Sequence, residues 1–360
     1  MNILSVVIPI YKVEEYIRQC LDSLVLPDRD LMDKLEVLCI NDGTPDHSAD
    51  FAREYERRFP NTFRVIDKEN GGHGSAWNRG LEDASGKYVA FLDSDDWYSS
   101  DKLAELLYYL ESCEVDGVMT KMMTHIYEND VEIRTNILFS QKFDNLKDRQ
   151  VYDVETFDYR ISDMPMFNFQ HILYRTDKLR ATGVKFMEHT SYDDDLVGLA
   201  GLLMMDSFVY LDMILYNYRF GREGQSVGGN YSLKRVNMYY QTAKQLYDFY
   251  EDYTKCHTVK ENVDMAARSF VAHTTYCLFP HLTRLPYNQF EDMIKKVRIE
   301  FARYPLFIEA IGKADPYYRL SPKALYKHDV KMRRRAELID RFAQSALGIL
   351  LRKIKHLVMR

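Results

Sequence analysis

The sequence predicts an α/β fold: a Rossmann-like, mostly parallel sheet with helices on both faces, followed by a C-terminal helical appendage. Three patterns carry this. Short apolar runs rich in β-branched residues recur through the first 115 residues, as expected of strands buried on both faces of a parallel sheet. Stretches with apolar residues at helical spacing alternate with them, which is the mark of βαβ units. Beyond about residue 220 the strand-like runs stop and only the helical period continues.

Taken in order, residues 3–10 read as the first strand, with Pro9 expected to end its pairing because proline carries no N–H. A helix follows over 13–24 through Val13, Tyr16, Ile17, Cys20, Leu21 and Leu24. Residues 35–40 form the second strand, 48–59 the second helix and 63–66 the third strand. The alternation continues with a helix over 75–84, a fourth strand over 88–92 and a helix over 101–111. Leu196, Leu199, Leu202 and Leu203 mark a further helix. Helical spacing returns over 232–253, 259–279 and 287–304. These boundaries divide the chain into a first domain of residues 1–220, with halves 1–115 and 116–220, and a helical region of residues 221–360.

Composition narrows the function classes. A chain of 360 residues, 46% hydrophobic and 28% charged, has the make-up of a soluble globular protein and the length for two domains. A net charge of -6 argues against nucleic acid as the main partner. The five cysteines are widely separated and form no CxxC or Cys/His metal spacing, so reduced thiols in a cytoplasmic protein are expected. No secretory leader pattern and no apolar run of roughly 18 residues is present, so neither secretion nor membrane spanning is expected.

In open α/β sheets, ligands bind outside the carboxyl ends of the strands. Those ends are Pro9-Ile10-Tyr11, the run from Asn41 to Asp46, the run from Glu69 to Gly74, and Asp93-Ser94-Asp95. Asp42 has the chemistry to accept from a base or ribose, or to make an Asx turn. Tyr11 can stack or pack. Gly71, Gly72 and Gly74 either let backbone approach a diphosphate or form a plain flexible loop. His73 is a ligand candidate, and Arg79 either meets phosphate or decorates a helix surface. Asp93, Asp95 and Asp96 are three acids on four residues, a repulsive cluster unless a cation lies among them. Oxygen donors favour Mg²⁺ or Mn²⁺, which fill their other positions with water and phosphate. The alternative is that these residues cap the next helix.

In order and spacing, Val6 to Tyr11, Ile40 to Asp46, Glu69 to Gly72, Asn78 to Leu81 and Phe91 to Asp96 resemble the family 2 glycosyltransferases of GT-A fold. A second block resembles their acceptor half: Gly183 to Phe186, Ser191 to Leu196, Tyr210-Leu211 and Tyr216 to Arg219. The sequence departs from the pattern at Asp194-Asp195-Leu196, where a Glu-Asp pair usually precedes an aromatic residue, and at Trp77, where many relatives carry arginine. The Gln-x-x-Arg-Trp signature of processive synthases is missing, so one sugar per binding event is expected.

The resemblance implies an inverting transfer from a nucleoside diphosphate sugar, with a uridine base, to a glycan or lipid-linked acceptor in cell-surface polysaccharide synthesis. It implies that Pro9, Tyr11, Asp42, Gly72, His73, Arg79, Asp93, Ser94 and Asp95 serve the donor, that Asp93 and Asp95 hold Mn²⁺ or Mg²⁺, and that Asp195 or Asp194 is the base. Arg222, in the glycine-rich run after Phe220, joins the donor candidates. Two rivals stand beside this. One is a nucleotidyltransferase, which wants a basic, glycine-rich signature after the first strand; the other is a catalytically silent sugar-binding or scaffold protein, opposed by the intact acids. Near the end, Lys331, Arg333, Arg334, Arg335, Arg341, Arg352, Lys353 and Lys355 alternate with apolar residues. Such a basic amphipathic helix suits either peripheral attachment at the inner face of a membrane or packing on protein, a second subunit included.

Overall fold

The computed structural model describes residues 2–128, 131–137, 146–159, 168–190, 194–221, 232–311, 322–327 and 331. They fall into two compact units, one of residues 1–230 and 241–271, the other of residues 231–240 and 272–360.

The first unit is built on β1 (Leu4–Ile10), β2 (Leu35–Asn41), β3 (Phe63–Asp67) and β4 (Tyr88–Phe91), which pair in parallel in the order β3-β2-β1-β4. All seven residues of β1 are buried, which accounts for its unbroken apolar run. Helices α1 (Ile17–Asp22), α2 (Arg29–Met32), α3 (Ser48–Arg58), α4 (His73–Asp83) and α5 (Ser100–Leu110) connect and cover them. The first helix is shorter than its periodicity suggested. The helix after the glycine loop starts two residues earlier than expected, so Gly74 lies inside it.

Pro9 does not end the pairing of β1. Pro9 lies opposite Ile40 and Ile10 opposite Asn41, while on the other flank the ladder with β4 stops at Val7. Strand residues present their backbone groups alternately to either neighbour. The Val7 carbonyl accepts from Leu92 N on the β4 side, so Pro9 faces that side too, where no ladder continues and no donor is missed.

Beyond β4 the sheet becomes mixed. A short strand pair position is taken by β5 (Trp97–Tyr98), then come β6 (Gly117–Glu128), β7 (Val131–Ile137), β8 (Val151–Asp153), β9 (Ile172–Arg175) and β10 (Ser207–Phe220). The path runs β4-β9-β6-β10-β5, with β7 on β6 and β8 on β10. β9 is antiparallel to both β4 and β6, whereas β6 and β10 are parallel. Helices α6 (Thr176–Ala181) and α7 (Asp194–Met204) follow β9. Register shifts between Tyr210 and Tyr216 mark irregular pairing in β10, and such bulges bend a strand. Its far end reaches the exit of β4.

The helices α8 (Leu233–Cys256) and α9 (Glu261–Leu282) contribute to both units, and α10 (Tyr287–Phe301) and α11 (Pro305–Ile311) belong to the second. That second unit closes on Phe290, Ile294, Val297 and Phe301 of α10, all nearly inaccessible, with Tyr240 packed 5.6 Å from Phe301. Cys20, Cys39, Cys113 and Cys256 are free thiols. Among the described residues no helix is long and apolar enough to cross a membrane.

Candidate active site

The exit of β4 delivers Asp93, Asp95 and Asp96, and a carboxylate oxygen from each lies within 4.8 Å of the others. They do not cap α5, which begins at Ser100 with Ser99 in the cap position. The three acids differ in setting. Asp96 is 1% exposed, and both its oxygens are taken, one by the Tyr216 hydroxyl at 2.6 Å and one by the Arg219 amide at 2.7 Å. Burial first, then the charges of Asp95 and Asp93, push its carboxyl up, against the pull of those two donors. Asp93 keeps 26% of its side chain exposed and pairs with His73 Nε2 at 3.1 Å. Asp95 is half-buried, and Ser94 is buried within the turn.

Residues from β10 complete this corner. Arg219 donates to the Asp95 carbonyl at 3.2 Å and to Gln19, and its guanidinium lies over the rings of Tyr16, Trp97 and Tyr127 at 5.1, 5.2 and 4.5 Å. Tyr216 also accepts from the Asp93 amide at 3.3 Å. Tyr218 is raised by burial and then by the charges of Asp96, Asp93, Asp95 and Asp194. Its phenol therefore lies in the field of acids from two distant parts of the chain. Asp194 and Asp195 stand in the first turn of α7, where the helix N-terminus favours negative charge. Asp193 lies outside the described residues, as do Arg222 and the basic tail beyond Lys331.

The donor-side candidates are arranged around Asp42. Its carboxylate is 2% exposed and accepts from Lys68 Nζ at 2.6 Å, Gly71 N at 2.9 Å, Gly72 N at 2.8 Å and Asn70 Nδ2 at 3.1 Å. In this arrangement Asp42 organises the glycine loop rather than presenting a free edge to a base. Gly72 takes φ +86°, and a Cβ there would lie 2.9 Å from His189 N, so only glycine fits. Tyr11 is exposed beside Lys12, and Pro9 is buried in β1. Arg79 pairs with Asp83 at 2.5 Å along the outer face of α4, the helix-surface alternative for that residue. Trp77 is wholly buried among His73, Phe91, Phe169 and Phe186, with ring centroids 4.4 to 5.3 Å away. Where an arginine was expected, the chain has an aromatic floor beneath His73.

Motif reading missed the placement of Tyr216, Tyr218 and Arg219, although their run was noticed, because nothing local says which acids they meet. The donor set of Asp93 and Asp95 suits a hard divalent cation: oxygen ligands, part-exposed, close together. Asp96, buried with a donor on each oxygen, anchors the turn.

Comparison with known proteins agrees with this geometry. A model for glycosyl transferase family 2 matches residues 5–175. The putative glycosyltransferase EpsH of Bacillus subtilis is 26% identical over 86% of either chain. The poly(ribitol-phosphate) beta-glucosyltransferase of Bacillus spizizenii is 33% identical over 33% of this chain, which spans only 19% of that protein. Among solved structures, S. aureus TarS 1-349 in complex with UDP-GlcNAc superposes with a TM-score of 0.60 at 20% identity, covering 93% of this chain and 92% of that one, and shows a common fold. Over residues 5–175 the chain carries a family 2 glycosyltransferase domain.

Proposed function

We propose that the enzyme transfers a single sugar, with inversion, from a UDP-sugar to a hydroxyl of a cell-surface glycan or lipid-linked acceptor, with Mn²⁺ or Mg²⁺ as cofactor. One observation carries the reading: the exit of β4 brings carboxylate oxygens of Asp93, Asp95 and Asp96 within 4.8 Å of one another, as a site for a divalent cation and a diphosphate requires. The relatives support the substrate class. TarS was solved with UDP-GlcNAc and with UDP, and one relative is named a beta-glucosyltransferase acting on poly(ribitol-phosphate).

Asp93 and Asp95 hold the cation, and His73 fixes the Asp93 carboxylate by occupying its Oδ1. A divalent cation held by these residues would supply Lewis-acid stabilisation of the departing diphosphate. The glycine loop, pinned by Asp42, presents backbone to the donor at the start of α4. Asp195, with Asp194 as the alternative, accepts the proton of the attacking hydroxyl. Attack opposite the leaving group inverts the anomeric centre, through a transition state of oxocarbenium character. The enzyme acts on the cytoplasmic side, and residues 331–360 bring it to an anionic surface. Flotation with anionic vesicles tests that part, since equal binding by a chain lacking those residues rejects it.

The main test is a panel of nucleotide sugars with and without Mn²⁺, read by thermal shift and by nucleotide release. A ligand that binds the folded state raises the melting temperature. UDP-sugars should do so only with the metal present. No shift and no UDP release with any divalent cation rejects the proposal.

A further inference from the structure

The acids on α7 are held relative to the donor loop by a seam of hydrogen bonds that no motif announces. Asn78 of α4 bonds twice to the backbone of Phe186, donating to its carbonyl at 2.8 Å and accepting from its amide at 2.9 Å. This is how a neighbouring strand would pair, supplied instead by one side chain. Three residues on, His189 N donates to the Gly71 carbonyl at 2.6 Å, with His189 itself at φ 53°. Ser75 reaches Glu188 at 3.4 Å. At the other end of α4, Arg180 caps the carbonyls of Leu81 and Glu82 at 2.7 and 3.1 Å, and that of Ala84. Gln245 of α8 adds a bond to the Lys185 carbonyl at 2.7 Å.

We propose that Asn78 is a positioning residue for the transfer step: its paired bonds to Phe186 lock residues 186–190 against the glycine loop and so set where α7 presents Asp194 and Asp195. The physical argument is one of tolerance. Three residues separate Thr190 from Asp194 at the start of α7, and a misplacement of about 1 Å in a reacting group can cost on the order of 100-fold in rate. The Asn78 amide both donates to and accepts from the same residue, so it fixes register as well as proximity. The glycine loop is held from the other side by Asp42, through Gly71 and Gly72. Occupation of the donor site therefore stiffens the 186–190 segment through the Gly71 to His189 bond. This rests on the functional reading above for the identity of the donor, but not for the mechanical link.

Asn78→Asp is the sharpest probe. It keeps the size and the acceptor but replaces the donor to the Phe186 carbonyl with a carboxylate oxygen. UDP with Mn²⁺ is the ligand, its affinity is read by calorimetry, and hydrogen exchange is followed in peptides covering residues 184–190. UDP release from UDP-GlcNAc, with water as acceptor, gives kcat and KM. In the native protein UDP should slow exchange at Gly71 to Ser75 and at 186–190 together. In Asn78→Asp, UDP affinity and donor KM should stay within about 3-fold, exchange at 186–190 should rise and no longer respond to UDP, and kcat should fall about 10- to 100-fold. Arg180→Met removes only the bonds to the Leu81, Glu82 and Ala84 carbonyls, at the end of α4 away from the glycine loop and from residues 186–190; it should lower the melting temperature and leave kcat unchanged, which separates positioning from general stability.

The proposal is overturned if Asn78→Asp leaves kcat and exchange unchanged, or if affinity and kcat fall in step. Should Asn78→Asp not fold, the native protein alone still decides: UDP that slows exchange in the glycine loop without slowing it at 186–190 rejects the link. If UDP does not bind the native protein, the functional reading fails. The link is then judged by exchange without ligand, in which faster exchange at 186–190 in Asn78→Asp supports it and unchanged exchange rejects it.

Discussion

Gly80 offers a test of how α4, and with it His73 and the glycine loop, is seated on the sheet. A Cβ at this position would lie 2.1 Å from Cγ1 of Val7 and 2.9 Å from its Cγ2, and Val7 is wholly buried in β1. Alanine would gain about 1 kcal/mol over glycine in helix propensity. Forcing a methyl into a filled contact costs about 3 kcal/mol at this separation, so Gly80→Ala should be destabilising by about 2 kcal/mol. Val7→Ala alone should cost about 2 kcal/mol, from two lost methyl groups and the void they leave. The pair should not add. In the double variant the new methyl occupies the vacated space, and the total cost should be about 1 kcal/mol, a coupling of about 3 kcal/mol. Urea unfolding followed by tryptophan fluorescence suits the measurement, because the two tryptophans, Trp77 and Trp97, both lie in the first unit and report on it alone. A double variant whose cost equals the sum of the singles within about 0.5 kcal/mol would mean that α4 does not rest on β1 through this contact.

Asp195→Asn should abolish transfer while UDP binding in the presence of Mn²⁺ stays near the native value, whereas Asp95→Asn should weaken that binding; equal loss of affinity in both contradicts the division of roles. Lys68→Met leaves the nearly inaccessible Asp42 carboxylate without its 2.6 Å ammonium partner, with the two loop amides still in place. A loss of about 2 kcal/mol is expected in the same urea assay, below the full penalty for an unpaired buried charge. Hydrogen bonding from Lys178 holds the Asp206 carboxyl below its ordinary range. Its contribution is thus complete above about pH 4, the ordinary Asp value, and is lost as pH falls through the lower native value. Asp206→Asn should flatten the loss of stability as pH falls below about 4, seen as a smaller drop in urea midpoint than in the native chain.

The strand ends of the first half were legible because burial on both faces writes itself into sequence as an apolar run. β1 is the clear case, and the polar residues that break such runs fall where the sheet expects a ligand. The acid turn after β4 was legible for a related reason, since three carboxylates on four residues demand compensation. What supplies that compensation was not legible. Tyr216 and Arg219 act on Asp96 from 120 and 123 residues away, and β9 finds its place between β4 and β6 only through pairing. Arg79 and Asp42 show the other limit. Their residue types suit phosphate and base, but partners four and about thirty residues along the chain occupy them here. Propensity and spacing cannot rank such competing partners; only distance can.

The interleaving of the sheet has a practical outcome for anyone recombining enzymes of this kind. Residues 172–175 lie between 88–91 and 117–128, so a crossover placed near residue 115 would set β4 of one parent against β9 of the other, in a ladder whose two strands were not selected together. Donor preference cannot then be transplanted as a leading fragment. Chimaeras should exchange everything through β10 as one piece, keeping the wedge strand with the partners it was selected against.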